Sequence, residues 1–167
     1  MLKILIAIVV IAILAAVSVV AYMGIQVRAR DTQRKQDVAT IQRALELYYI
    51  DNGRYPVSSC SSSCKINSSW STTSDGSWAN LAAQLVPKYI SELPSDPRGG
   101  IAGSPAIWNG FNYDYVASTT GWCGVPQGQT YLLAFRLESL SHSYVIDGDC
   151  PTSQPTNYGS SEYIKVK

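Results

Sequence analysis

From Ile4 to Val27 the chain carries no charged side chain. As an α-helix, this run of about 24 residues would be roughly 36 Å long, against a hydrocarbon core of about 30 Å. Ile8, Val9, Val10 and Ile11 are β-branched and in water would lean toward a strand. In lipid the preference reverses, because a helix satisfies its own backbone hydrogen bonds and an isolated strand does not. The run is apolar all round, so it faces lipid or packs inside a bundle. A cleaved signal peptide is the competing reading, with Ala15-Ala16-Val17-Ser18 as the small-residue site. It fits less well, because the apolar run continues through Val19, Val20 and Ala21.

The helix does not stop at Val27. No Pro occurs between Met1 and Tyr55, and Gly24 is the only Gly before Gly53. Gly24 is a soft spot, worth about 1 kcal/mol in a helix interior. Val38, Ile41, Leu45 and Tyr48 recur at helical spacing, flanked by Ala44 and Tyr49. Arg34, Lys35, Asp37, Arg43 and Glu46 are assigned mostly off that stripe, and Arg43 and Glu46 are spaced to pair on the surface. Asp51-Asn52-Gly53 supplies a C-terminal stop, and Pro56 bars continuation. The pattern predicts one helix of about 50 residues, roughly 75 Å long. Its first part, 1–27, is greasy all round and its second, 28–54, has one greasy face.

Each part needs a different partner. The distal stripe (Val38, Ile41, Leu45, Tyr48) is expected to pack on the subunit's own sheet. The proximal surface (Ile4, Ile8, Ile11, Leu14, Val17, Val20) is expected to contact lipid or other copies of itself. A helix that can exchange lipid for its own kind can leave the membrane as a polymer. The simpler alternative is a signal anchor tethering a soluble domain.

After the helix the composition changes to Ser, Thr, Gly, Pro, Asn and Tyr. The whole chain has 167 residues and a net charge of +1, so no global field attracts nucleic acid or acidic substrates. Residues 55–111 read as a Ser-rich disulfide loop followed by a short helix, Trp78 to Tyr89. Residues 112–167 read as an antiparallel sheet and a C-terminal tail. Strands are expected at Asn112 to Ala117, Thr130 to Leu137 and Ser143 to Asp147, with a last one at Glu162 to Val166. Alternation supports the second, with Tyr131, Leu133, Phe135 and Leu137 on one face. The fold class is α+β: a long transmembrane and amphipathic helix packed on a small antiparallel sheet.

Four cysteines, Cys60, Cys64, Cys123 and Cys150, all follow the apolar segment. An even count in a loop-rich domain suits disulfides in an oxidising compartment, and the spacing matches no zinc motif. The expected pairing is Cys60–Cys64 and Cys123–Cys150. The first closes a short ring within one loop. The second is expected because Cys123 precedes one strand and Cys150 follows the next, which places both at the open end of a hairpin. Orientation draws on opposed signals. Arg28, Arg30, Arg34 and Lys35 outnumber Lys3, which by the positive-inside rule places the domain in the cytoplasm. The cysteines place it outside, and they are given the greater weight because those basic residues are interleaved with acids in a continuing helix.

No catalytic constellation emerges. His142 lies in Ser-His-Ser with no nucleophile motif, and neither a Gly-x-Ser-x-Gly elbow nor a phosphate-binding Gly fingerprint is present. No enzyme activity, cofactor or metal is expected. Asp147 and Asp149 are a weak calcium candidate, too closely spaced for an EF-hand loop. Trp70, Trp108 and Trp122 are read as exposed aromatics for packing or subunit contacts. With few basic residues beside them, direct nucleic-acid binding is not expected.

These residues resemble a known family. The apolar run from Ile8 to Tyr22 is similar to the N-terminal helix of type IV pilins and type II secretion pseudopilins. The run from Ala29 to Pro56, ending Tyr48-Tyr49-Ile50-Asp51-Asn52-Gly53-Arg54-Tyr55-Pro56, resembles the major-pseudopilin class more specifically. Leu85 to Pro97, then Asn112 to Val116, resemble the loop and first strand of the same class. The sequence departs from the family at its start. The basic leader, Gly, cleavage site, Phe and Glu of the family are not in it, and Lys3 stands in the Glu position. Val20 replaces the helix Pro common in the family. The resemblance implies the pilin fold and calcium binding in C-terminal loops. It also implies a chain inserted in the cytoplasmic membrane that polymerises with itself through inner-membrane pilus or secretion machinery. The leading expectation is a major pilin, in an extracellular filament on the bacterial surface for adhesion, surface motility or DNA uptake. The disulfides and aromatic-rich tail favour it. A type II secretion pseudopilin and a membrane-anchored, non-polymerising binding domain are the alternatives.

Overall fold

The structure is a computed structural model, and it describes residues 2–59, 69–98, 110–117, 126–139, 146–147 and 162–166. For 2, 19–21, 146–147 and 162–166 it describes the backbone alone. Helix α1 spans Leu2–Asn52, 51 residues without interruption, and passes through Gly24. It ends where Gly53 adopts φ +68 and donates its N–H to the Tyr49 carbonyl at 2.8 Å. A left-handed residue in that place satisfies one of the last orphan carbonyls, and glycine adopts it without a Cβ penalty.

A five-stranded sheet packs against the distal half of α1. The strands are β1 (Ser71–Thr72), β2 (Asp114–Ala117), β3 (Tyr131–Phe135), β4 (Ile146–Asp147) and β5 (Glu162–Val166), in the order β1-β2-β3-β5-β4. β2 and β3 are antiparallel, with Tyr115 opposite Leu133. β3 pairs antiparallel with β5, and β5 pairs parallel with β4. The expected hairpin of Thr130 to Leu137 with Ser143 to Asp147, here β3 and β4, is therefore not formed. The last strand inserts between them, and the sheet is mixed at that edge. Two strands of opposite sequence polarity do not reveal whether a later segment will separate them. The Ser-rich loop also yields a strand that its composition hides, β1, which pairs with β2.

The short helix α2 (Trp78–Leu85) is shorter than expected. Pro87 drives Val86 to φ -92, ψ 139, out of the helical region, as the residue before proline must be. α2 buries Trp78, Leu81 and Leu85. They join Val38, Ile41, Leu45, Tyr113, Tyr115, Tyr131 and Leu133 in one core, with Tyr48 packed against it. The alternation of β3 does not mark an open face, because Leu132 and Ala134 are buried along with Tyr131, Leu133 and Phe135. Several buried tyrosines find partners at their rims, as buried hydroxyls must. Tyr115 donates to the Pro56 carbonyl and Tyr113 to Asp37, both at 2.8 Å. Gly128, at φ +77, lets the turn before β3 approach the chain after α1, where its carbonyl accepts the Tyr55 N–H at 2.8 Å.

Candidate functional site

Among the described residues, the proximal half of α1 leaves its apolar surface exposed. Ile4, Ile8, Ile11, Leu14 and Val17 are exposed, Ile11 at 65%. The side chain of Val20 lies outside the described residues. The helix has a mean hydropathy of 3.3 over its most apolar stretch and is long and apolar enough to cross a membrane. Leaving one such side chain in water costs about 1.5–3 kcal/mol. A dozen of them cannot remain hydrated, so the surface requires lipid or a bundle of like helices. Within lipid, helices gain little from apolarity itself and associate through packing. The smooth, uncharged cylinder can therefore be stable in both settings.

The distal stripe faces the other way. Val38, Ile41 and Leu45 are fully buried, and Tyr48 is partly buried against the same core. On the opposite face Leu47 and Ile50 are exposed, and Ala39, Gln42, Arg43, Glu46 and Leu47 line a shallow groove of about 560 Å³. Glu46 accepts a hydrogen bond from the Tyr55 hydroxyl at 3.0 Å. The expected Arg43–Glu46 pair is not among the ion pairs of the described residues.

Between the two halves lies a feature the sequence reading missed. Arg34 was placed off the buried stripe, yet it is fully buried. Its guanidinium donates to Asp96 at 2.6 and 3.1 Å, to Asp31 at 2.8 Å, and lies 2.8 Å from Glu138. Arg30 grips Glu138 with two hydrogen bonds of 2.7 and 2.6 Å. Asp31 in turn accepts the backbone N–H groups of Glu138 and Ser139 at 2.8 and 2.9 Å. This collar ties α1 to the loop after α2 and to the end of β3, where the helix leaves the domain. The Phe111 ring lies beneath it, with the guanidinium carbons of Arg34, Arg98 and Arg136 at 4.8, 4.7 and 5.1 Å from its centroid. Such contacts favour a cation over the ring face. Helical spacing did contain the signal. Asp31 and Arg34 continue the Val38-Ile41-Leu45 series backward in register, so a charge there had to be buried with partners.

Electrostatics follow the geometry. The hydrogen bond from Arg30, reinforced by Arg34, holds the Glu138 carboxyl below its usual range. Burial pushes Asp31 up, but hydrogen bonds from Ser139, Glu138 and Arg34 outweigh it and leave its pKa low. Burial raises Asp37 against the pull of the Tyr113 hydroxyl.

Several expected site residues lie outside the described residues: all four cysteines, His142, Asp149, Trp108 and Trp122, together with the side chain of Asp147. Trp70, expected exposed, is only 7% exposed, which removes it as a surface aromatic. Among the described residues no cluster of three or more metal-ligating side chains is present.

The family model for type II secretion system protein G matches residues 21–100. The type II secretion system core protein G of Klebsiella michiganensis is 31% identical over 109 residues, covering 60% of this chain and 66% of that protein. Its namesake in Aeromonas hydrophila is 28% identical over 99 residues, covering 59% and 65%. That of Escherichia coli K12 is 29% identical over 108 residues, covering 59% and 64%. The chain thus spans just under two thirds of the length of these relatives. No solved structure matches.

Proposed function

We propose that this chain, which belongs to the family of type IV pilins and type II secretion pseudopilins, is the major subunit of a type II secretion pseudopilus. The observation that carries the reading is the protein G likeness across residues 21–100, which runs from the membrane-length part of α1 through the collar residues Arg30, Arg34 and Asp96. The relatives named as protein G favour secretion over the adhesive or motile pilus first expected from the cysteines and aromatic tail. The role is structural. The subunit waits in the cytoplasmic membrane on its apolar helix, then moves into a polymer in which neighbouring helices replace lipid. Inner-membrane secretion machinery is the partner that such a transfer requires. The sheet and α2 fix the domain on the distal helix, and the collar fixes the angle at which the helix emerges.

Deleting the gene in its source organism tests this. Exported enzymes should accumulate behind the outer membrane while surface motility and adhesion persist, and a plasmid copy should restore secretion. Loss of motility with normal secretion would return the chain to the pilus class. Loss of neither would favour the non-polymerising anchor.

A further inference from the structure

We propose that the underside of the domain is a docking surface for anionic phospholipid headgroups, held by Arg28, Lys35 and Arg98. The inference rests on the membrane-anchored reading above and goes beyond it. Uncharged sequence ends at Val27, and a helix rises about 1.5 Å per residue. Arg28 and Arg30 therefore sit within the headgroup layer, which is about 5–8 Å thick on each side of the hydrocarbon, and Lys35, whose backbone stands about 12 Å beyond Val27, reaches back to it with a long side chain tilted toward the helix N-terminus. Arg98 is far from them in sequence, but the fold brings it to the same level. Its guanidinium is 3.8 Å from Glu138, whose carboxylate is 2.6 Å from Arg30.

The charges at this level are sorted by exposure. The acids are spent inward: Asp31 and Asp96 are buried, and the Glu138 side chain is only 10% exposed and held by arginines. The next acid up the helix, Asp37, accepts from Tyr113. Arg30 and Arg34 are taken up by those acids, and three further cations face solvent: Arg28 and Lys35 are exposed, and the Arg98 side chain is 43% exposed. Among the described residues, the exposed charge at this level is thus positive although the whole chain is nearly neutral. Arginine suits phosphate oxygens, which it can grip with two parallel donors.

The test uses the full-length chain reconstituted in phosphatidylcholine vesicles. The association of spin-labelled phosphatidylglycerol is measured relative to spin-labelled phosphatidylcholine. A basic residue near an anionic surface should yield a preference of about fivefold. Raising salt to about 0.5 M, where the screening length falls to about 4 Å, should bring the ratio near one. Arg98→Gln and Lys35→Gln should each lower the preference about twofold or more, with the circular dichroism of the folded domain unchanged. Equal association of both lipids overturns the proposal. So does a preference that survives both substitutions, because it would then belong to the helix end at Arg28 alone. Salt-sensitive self-association without lipid selectivity would assign the patch to a second copy and also overturn it. Co-flotation with the vesicles separates the two readings. A chain that floats but shows no selectivity defeats only this proposal, whereas one that does not float defeats the anchor and this proposal with it.

Discussion

Replacing Arg34 with Met should cost about 3–5 kcal/mol, the range for removing one partner from a buried ion pair. The structure shows where the cost falls. Glu138 keeps the two Arg30 hydrogen bonds, and Asp31 keeps the N–H groups of Glu138 and Ser139. Asp96 loses both Arg34 contacts and retains the Arg98 N–H at 2.8 Å, while its side chain is 1% exposed. The penalty is therefore mainly one dehydrated carboxylate. Adding Asp96→Asn removes that charge and should recover at least about 1 kcal/mol, a coupling within the range for touching residues. Urea denaturation of a soluble fragment beginning at Arg28 measures all four corners of the cycle. A domain of ordinary stability, about 5–15 kcal/mol, should survive the single change with a lower midpoint. A loss below about 1 kcal/mol, the size of an exposed salt bridge, or a cycle without coupling would refute the buried-collar reasoning.

Three further outcomes can be measured. Glu138 and Asp31 titrate below their ordinary values, so they add stability that is present above about pH 4 and lost as pH falls through their folded pKa values. Urea midpoints from about pH 7 to about pH 2 should show this decline, and Arg30→Gln should flatten it. Leu45, fully buried between α1 and the sheet, should cost about 2–5 kcal/mol as Leu45→Ala, whereas exposed Leu47→Ala should stay within about 0.5 kcal/mol. Non-reducing peptide mapping should find Cys60 joined to Cys64, the short ring within one loop, whereas the hairpin expected to bring Cys123 beside Cys150 is not formed, because β5 lies between β3 and β4.

Much of the helix was legible because its signals are local. Lack of charge from Ile4 to Val27, apolar period from Val38 to Leu45, and a glycine at the stop each act within a few turns. The strands were legible as segments for the same reason, and β5 falls on Glu162–Val166 as expected. Their order was not, since pairing is decided by contacts far apart in sequence. The collar was hidden by a different cause. A charged residue on a helix is usually solvated, and only the arrival of Asp96 and Glu138 from remote loops makes burial of Arg34 affordable. Asp31 and Arg34 lie in register with the Val38-Ile41-Leu45 stripe, but their charge points to solvent.

The central claim is that the exposed apolar half of α1 builds the filament. Ile11 is 65% exposed in the subunit and lies inside the uncharged run, about 10 Å of helix from its start at Ile4. An Asp there costs up to the roughly 2.5–3.5 kcal/mol of a mid-helix position in the bilayer and would face apolar neighbours in a polymer. Electron microscopy of material sheared from cells overproducing the secretion system should show filaments containing the wild-type chain. Ile11→Asp should abolish them, while the soluble fragment beginning at Arg28 keeps its fold. Normal filaments assembled from the Ile11→Asp chain would contradict the account.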